Sequence, residues 1–199
     1  MDELTLTATK EAELYRLLRF YNREADRCCE AHAFLAGCVM AGAELETVLL
    51  LMVNAYPGEA VATNKCPRKE KAIKPLLDWN LAELLRVAKV AGWLPSALVY
   101  GEDEWSSRKA KAGDYAEVVR EMRNLAHPAR YMEDHYRKRV TRKHLHLVFE
   151  TINSASSWLY ARVEKSLVER MKEEGWTPTR KRRLGPRKQR LPHERLDAD

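Results

Sequence analysis

Apolar residues recur along most of this chain at intervals of three and four, the spacing that gathers side chains on one face of an α-helix. Leu14, Leu17, Leu18 and Tyr21 fall at i, i+3, i+4 and i+7. They predict a first helix that begins near Thr7 or Thr9, either of which can cap it, and that ends at Asn22 or runs on. Cys28, Leu35, Cys38, Leu45, Val48, Leu49 and Met52 share one stripe and predict a second helix over roughly residues 24–55, stopped by Pro57-Gly58. Its middle, AGCVMAGAELE (36–46), is rich in glycine and alanine, so another helix can approach it closely.

Residues 57–75 read as a loop. In DWNLAELLRVAKVAG (78–92), Asn80 and Glu83 have capping-box spacing, Leu81, Leu84, Leu85 and Ala88 form the buried stripe, and Gly92 stands where a C-terminal cap belongs. Residues 93–113 read as a polar connector, long for a compact domain. Asp114 and Glu117 repeat the capping spacing before a helix over about 115–127, which Pro128 ends. Thr141 is placed to cap a last helix over roughly 142–174, with Val148, Ile152, Ala155, Leu159, Val163 and Leu167 on its apolar stripe and Gly175 after it. The pattern predicts an all-α fold, a bundle of four to five helices with two long ones near 30 residues. Helices of that length run to about 45 Å at ~1.5 Å per residue, more than the core of this body needs, which suggests that part of each packs on a second copy.

Composition agrees with one domain and a tail. The chain has 199 residues, 45% of them hydrophobic, and only 8 glycines and 8 prolines. Its net charge of +6 is uneven. Residues 176–199 carry eight basic side chains against three acidic ones, leaving 27 basic and 26 acidic in residues 1–175. The expected organisation is a helical domain over 1–175 and a basic, disordered tail over 176–199. The four cysteines, Cys28, Cys29, Cys38 and Cys66, include an adjacent pair and no CxxC, which suggests reduced thiols in a cytoplasmic protein. The first twenty residues mix acids and polar groups, so no signal peptide is expected. The longest unbroken apolar run, VLLLMV (48–53), is far short of the ~20 residues of a bilayer span, and no membrane partner is expected.

Chemistry concentrates in EVVREMRNLAHPARYMED (117–134). On a helical wheel, Val118, Val119, Met122, Leu125 and Ala126 gather on one side, and Arg120, Arg123, Asn124 and His127 on the other, away from the body's core. An imidazole titrates near ~6.5 and can take and give a proton at neutral pH. A guanidinium is a fork matched to phosphate oxygens. Neighbouring arginines lower the basicity of His127 and the helix C-terminus raises it, so the two effects oppose each other. The set suits cleavage of a phosphodiester by the RNA 2′-hydroxyl, with no metal or other cofactor required. The alternative is the wet face of a surface helix.

The segment REMRNLAHP resembles the signature of the HEPN superfamily, in which an arginine, often followed by a polar residue, stands four to six residues before a histidine. AGAELETVLLL and WNLAELLRVAKVAGWL resemble two further helices of bacterial HEPN-type proteins, so the likeness covers roughly residues 30–160. It implies a HEPN-like bundle and a metal-independent RNA endonuclease of toxin or antiviral-defence type. Its composite site would span a homodimer, and an antitoxin or defence-system partner is implied. By position, His127 would transfer protons, and Arg120 (six residues between) or Arg123 (three between) would hold the phosphate. Asn124 would be the polar residue after Arg123. The tyrosine found two residues after the histidine in toxins with a nucleotidyltransferase antitoxin has no counterpart, since Ala129 stands there and Tyr131 lies four after. The superfamily also contains inactive scaffolds, which implies the alternative of a catalytically inactive helical module that recruits a partner or nucleic acid.

The tail supplies the second candidate. Arg180, Lys181, Arg182, Arg183, Arg187, Lys188 and Arg190 interleave with glycine and proline and suit salt-sensitive binding to nucleic-acid backbones. Cys28, Cys29 and His32 lie within one turn, but no second ligand pair has zinc spacing, so structural thiols and no metal are expected. His144 and His146 read as surface residues, and MEDHY (132–136) as a solvated turn.

Overall fold

The computed structural model describes residues 2–96, 112–134 and 139–173, with side-chain surroundings for 3–96, 113–132 and 139–162. The described part is all-α apart from one minimal hairpin. Its helices are α1 (Ala8–Glu30), α2 (Phe34–Ala55), α3 (Pro57–Ala62), α4 (Leu81–Val90), α5 (Ala112–Asn124), α6 (Pro128–Asp134) and α7 (Arg142–Glu173). Strands β1 (Arg68–Lys69) and β2 (Ala72–Ile73) pair antiparallel, Arg68 opposite Ile73 and Lys69 opposite Ala72. The chain divides into two units, residues 1–163 and 164–199; of the second, only the helical backbone through Glu173 is described.

Among the described residues seven α-helices, three of them of ten residues or fewer, stand where four or five were expected. The continuous helix expected over 24–55 is two. α1 runs on to Glu30, and the chain turns at Ala31–Ala33. His32 has φ of 57°, the His32 N–H donates to Cys29 O at 3.1 Å, and the Ala33 N–H donates to Cys28 O at 2.8 Å. That double bond is the Schellman arrangement, with histidine at the left-handed position that glycine ordinarily takes. Only α7, at 32 residues, reaches the expected length.

The loop expected over 57–75 is also structured. Pro57 ends α2 and opens α3, because its missing N–H is one that the first helical turn leaves unpaired anyway. The hairpin turns on Glu70 and Lys71, both at positive φ (50° and 75°), as a tight two-residue hairpin turn demands.

Other boundaries match their sequence signals. The Thr7 hydroxyl accepts the Lys10 N–H at 3.4 Å, which selects Thr7 over Thr9. Asn80 and Glu83 form a reciprocal capping box, and Lys74 Nζ holds the Glu83 carboxylate at 3.0 Å. Gly92, at φ 70°, closes α4. At the start of α7 the Thr141 N–H donates to Nδ1 of His144 at 3.0 Å, so His144 is part of a cap and not simply a surface residue. The segments 97–111 and 135–138, which include most of the polar connector and His135 of MEDHY, lie outside the described residues. So do the side chains of Val163 and Leu167.

α2 is the central element. Cys38, Ala41, Leu45, Val48, Leu49, Met52 and Val53 are buried and join Leu84, Leu85, Val87 and Ala88 of α4, Val119 and Met122 of α5, and Leu145, Val148 and Ile152 of α7 in one core. By length and composition alone α2 is long and apolar enough to cross a bilayer, although its unbroken apolar run is short. Half of its most apolar stretch is buried within the bundle.

The small residues of α2 set the helix spacing, as expected from AGCVMAGAELE. A Cβ on Gly42 would stand 2.9 Å from Cβ and 2.8 Å from Cδ of Arg123 in α5. A Cβ on Gly37 would stand 2.8 Å from Cδ2 of Leu145, the movable end of a side chain. Gly58 in α3 has no neighbour at that distance. Gly58→Ala is therefore expected to stabilise the protein by up to about 1 kcal/mol through helix propensity. Gly42→Ala is expected to reverse that gain and cost about 1–3 kcal/mol, since the Cβ of Arg123 cannot move without α5. Urea denaturation of the two variants side by side checks the opposite signs.

Buried polar groups follow their surroundings. Cys38 and Cys66 are buried free thiols, and burial pushes the Cys38 thiol up to about 12. Burial also raises the Glu44 carboxyl, Asp26 adds to the shift, and a hydrogen bond from Asn22 opposes it. No group of three or more metal-binding side chains occurs among the described residues.

Candidate active site

α5 carries the candidate residues, and its seating decides what they can do. Asp114 lies in its first turn and accepts a hydrogen bond from the Ser96 hydroxyl. α5 therefore starts at Ala112, before Asp114, and Glu117 is free of the capping role its spacing suggested. Glu117 instead lies between two cations, with Lys89 Nζ of α4 at 2.6 Å and Arg120 Nε at 2.9 Å. Ala116, Val119, Met122 and Leu125 are buried and hold the helix on α2 and α4.

The helix stops at Asn124, three residues earlier than expected. The His127 N–H donates to Asn124 O at 2.9 Å, and His127 O accepts the Tyr131 N–H at 3.0 Å. His127 is thus a hinge residue between two helices, and Pro128 opens α6 as its first residue rather than only ending α5. The wheel that placed His127 seven positions after Arg120 does not apply beyond Asn124. The four candidates nonetheless converge, because the tight turn folds His127 back beside the end of α5.

Arg120, Arg123, Asn124 and His127 line one open depression of about 530 Å³. Val39 and Glu46 of α2 form a second side, and Asn80, Leu81 and Ala82 at the start of α4 a third. The imidazole of His127 is exposed. Both arginines are engaged by carboxylates. Arg123 reaches Glu46 at 2.7 Å, its stem lying over Gly42. Arg120 bonds Glu117 and also Glu121. The polar face therefore does not point wholly away from the body. The small side chains of α2 admit the Arg123 stem and bring Glu46 up to its guanidinium.

Charge follows from those pairs. Lys89, Arg120 and Arg123 stand against Glu46, Glu117 and Glu121, so these three cations and three anions balance. Arg123 is the most accessible of the three cations, its side chain 31% exposed against 15% for Lys89 and 24% for Arg120, so it is the one an incoming phosphate reaches most readily.

Sequence reasoning grouped Arg120, Arg123, Asn124 and His127, which the structure brings to one depression, and missed Glu46 and the α4 wall. Glu46 belongs to the quoted AGAELE stretch, four residues after Gly42, so it lies one helical turn from the small contact point. That spacing was the available signal. The tail residues Arg180, Lys181, Arg182, Arg183, Arg187, Lys188 and Arg190 lie outside the described residues. Cys28 and Cys29 are half-buried and free, and raised basicity of the Cys28 thiol comes from burial with Glu24 adding to it. Compared with family models, curated proteins and solved structures, the chain matches none.

Proposed function

We propose that this protein is a HEPN-type, metal-independent RNA endonuclease whose cleavage centre is the depression at the end of α5, completed across a homodimer. One observation carries the reading: the turn after Asn124 brings an exposed imidazole into the same open depression as two guanidinium groups and an amide. His127 transfers protons, Arg123 holds the scissile phosphate, and Arg120 and Asn124 orient it. Toxin or antiviral-defence activity, with an antitoxin or other system partner, follows from the resemblance alone. The test is incubation of purified protein with RNA in EDTA. Cleavage that leaves 2′,3′-cyclic phosphate and 5′-hydroxyl ends is expected. Intact RNA at micromolar protein overturns the reading.

A second reading is favoured by the ion pairs. With Arg120 and Arg123 both held by carboxylates, the depression is nearly neutral and is no strong trap for phosphate. The protein is then an inactive HEPN-like module that recruits a partner or nucleic acid through residues 176–199. That reading predicts no RNA loss, and binding that weakens steeply with salt and disappears when the tail is deleted.

A further inference from the structure

We propose that Glu46 is the second proton-transfer group of this centre, acting as general base toward the RNA 2′-hydroxyl while His127 acts as general acid. The inference rests on the ribonuclease reading and assigns within one chain a role that the composite reading would leave to the second copy.

Cleavage by the 2′-hydroxyl needs two proton transfers, one from the attacking oxygen and one to the leaving oxygen. The depression holds two groups suited to them, the His127 imidazole and the Glu46 carboxylate, with the Arg123 guanidinium 2.7 Å from the latter. Among the described residues lining it, Glu46 is the one carboxylate. Its partner Arg123 is a fork that can bridge a carboxylate and a phosphate oxygen together. A phosphate bound to Arg123 is thereby placed beside Glu46, and the ribose attached to it brings its 2′-hydroxyl to the same wall.

The step balances without another reactant. Glu46 takes the proton of the 2′-hydroxyl as the 2′-oxygen forms its bond to phosphorus. The bond from phosphorus to the 5′-oxygen breaks, and protonated His127 gives that oxygen a proton. The products are a 2′,3′-cyclic phosphate, a 5′-hydroxyl, a protonated Glu46 and a neutral His127, and exchange with water restores the starting forms. Arg123 contacts Glu46 directly, and among the described residues lining the depression the other titratable or charged side chains are Arg120 and His127, with Asn80, Leu81 and Ala82 of the α4 wall uncharged.

The experiment is single-turnover cleavage of a short RNA in EDTA across pH 4–9, by wild type, Glu46→Gln and His127→Ala, with circular dichroism as the folding control. Wild type is expected to show a bell. The general base sets its acid limb and the general acid its alkaline limb. Glu46→Gln keeps an oxygen for Arg123 but cannot accept the proton, and is expected to lose about 10²-fold or more and the acid limb with it. A Glu46→Gln enzyme at the wild-type rate, or one slowed with its acid limb intact, overturns the inference and leaves the ribonuclease reading standing if His127→Ala is inert. A wild-type profile with no acid limb overturns it even where the variant does not fold. No cleavage by wild type, or full cleavage by His127→Ala, overturns both.

Discussion

His127→Ala is expected to lower the rate of RNA cleavage by about 10²–10⁴-fold, the usual worth of a positioned proton-transfer group, while leaving the helical content unchanged. The second half of that expectation comes from where the residue sits. His127 is exposed, and its backbone N–H and C=O, not its ring, make the bonds that join α5 to α6. Alanine keeps both bonds. A merely structural histidine would show the reverse pattern, a loss of stability with little change in rate. Cleavage kinetics and thermal denaturation of the same preparation separate the two, and a rate within a few fold of wild type would remove His127 from the chemistry.

Trp93→Ala is expected to cost about 3–5 kcal/mol. Trp93 is 1% exposed, just after the glycine that closes α4. Its indole Nε1 donates to Glu59 of α3 at 2.7 Å, and its ring lies 6.2 Å from that of Tyr56. Arg162 of α7 meets the same Glu59 oxygen at 2.6 Å and lies over the Tyr56 ring, 5.9 Å from its centroid. Truncation empties a large volume and removes one of the two donors to Glu59. Trp93→Phe keeps most of the volume and loses only the donor, so its cost is expected nearer 1–3 kcal/mol. Guanidinium unfolding of both variants measures the difference. Equal costs would mean that the hydrogen bond, not the volume, dominates.

The sequence disclosed those features whose cause is local. Thr7, Asn80 with Glu83, Gly92 and Thr141 each mark a helix end because a cap acts within a few residues. The break between α1 and α2 was hidden because no glycine or proline stands there; histidine takes the left-handed position, at a steric cost that the surrounding packing must cover. The hairpin was hidden for the same reason, since Glu70 and Lys71 are poor advertisements for positive φ. Pro57 and Pro128 were read as stops, yet each also begins a helix. At the site, four residues within eight positions of chain could be grouped from spacing alone. Glu46 and Asn80 join them only through the packing of α2 and α4 on α5; the Gly42–Glu46 spacing marks the turn of α2 involved but not the arginine it meets.

The backbone N–H of Gly113 donates to the carbonyl of Pro95 at 2.8 Å, so two points eighteen residues apart in sequence are stapled together at the root of α5. A side chain at Gly113 would collide with that carbonyl at 2.9 Å, which makes the staple intolerant of substitution. Closing a segment twice as long costs only about 0.6 kcal/mol more in entropy, so the staple, more than the number of residues between its ends, fixes where α5 begins.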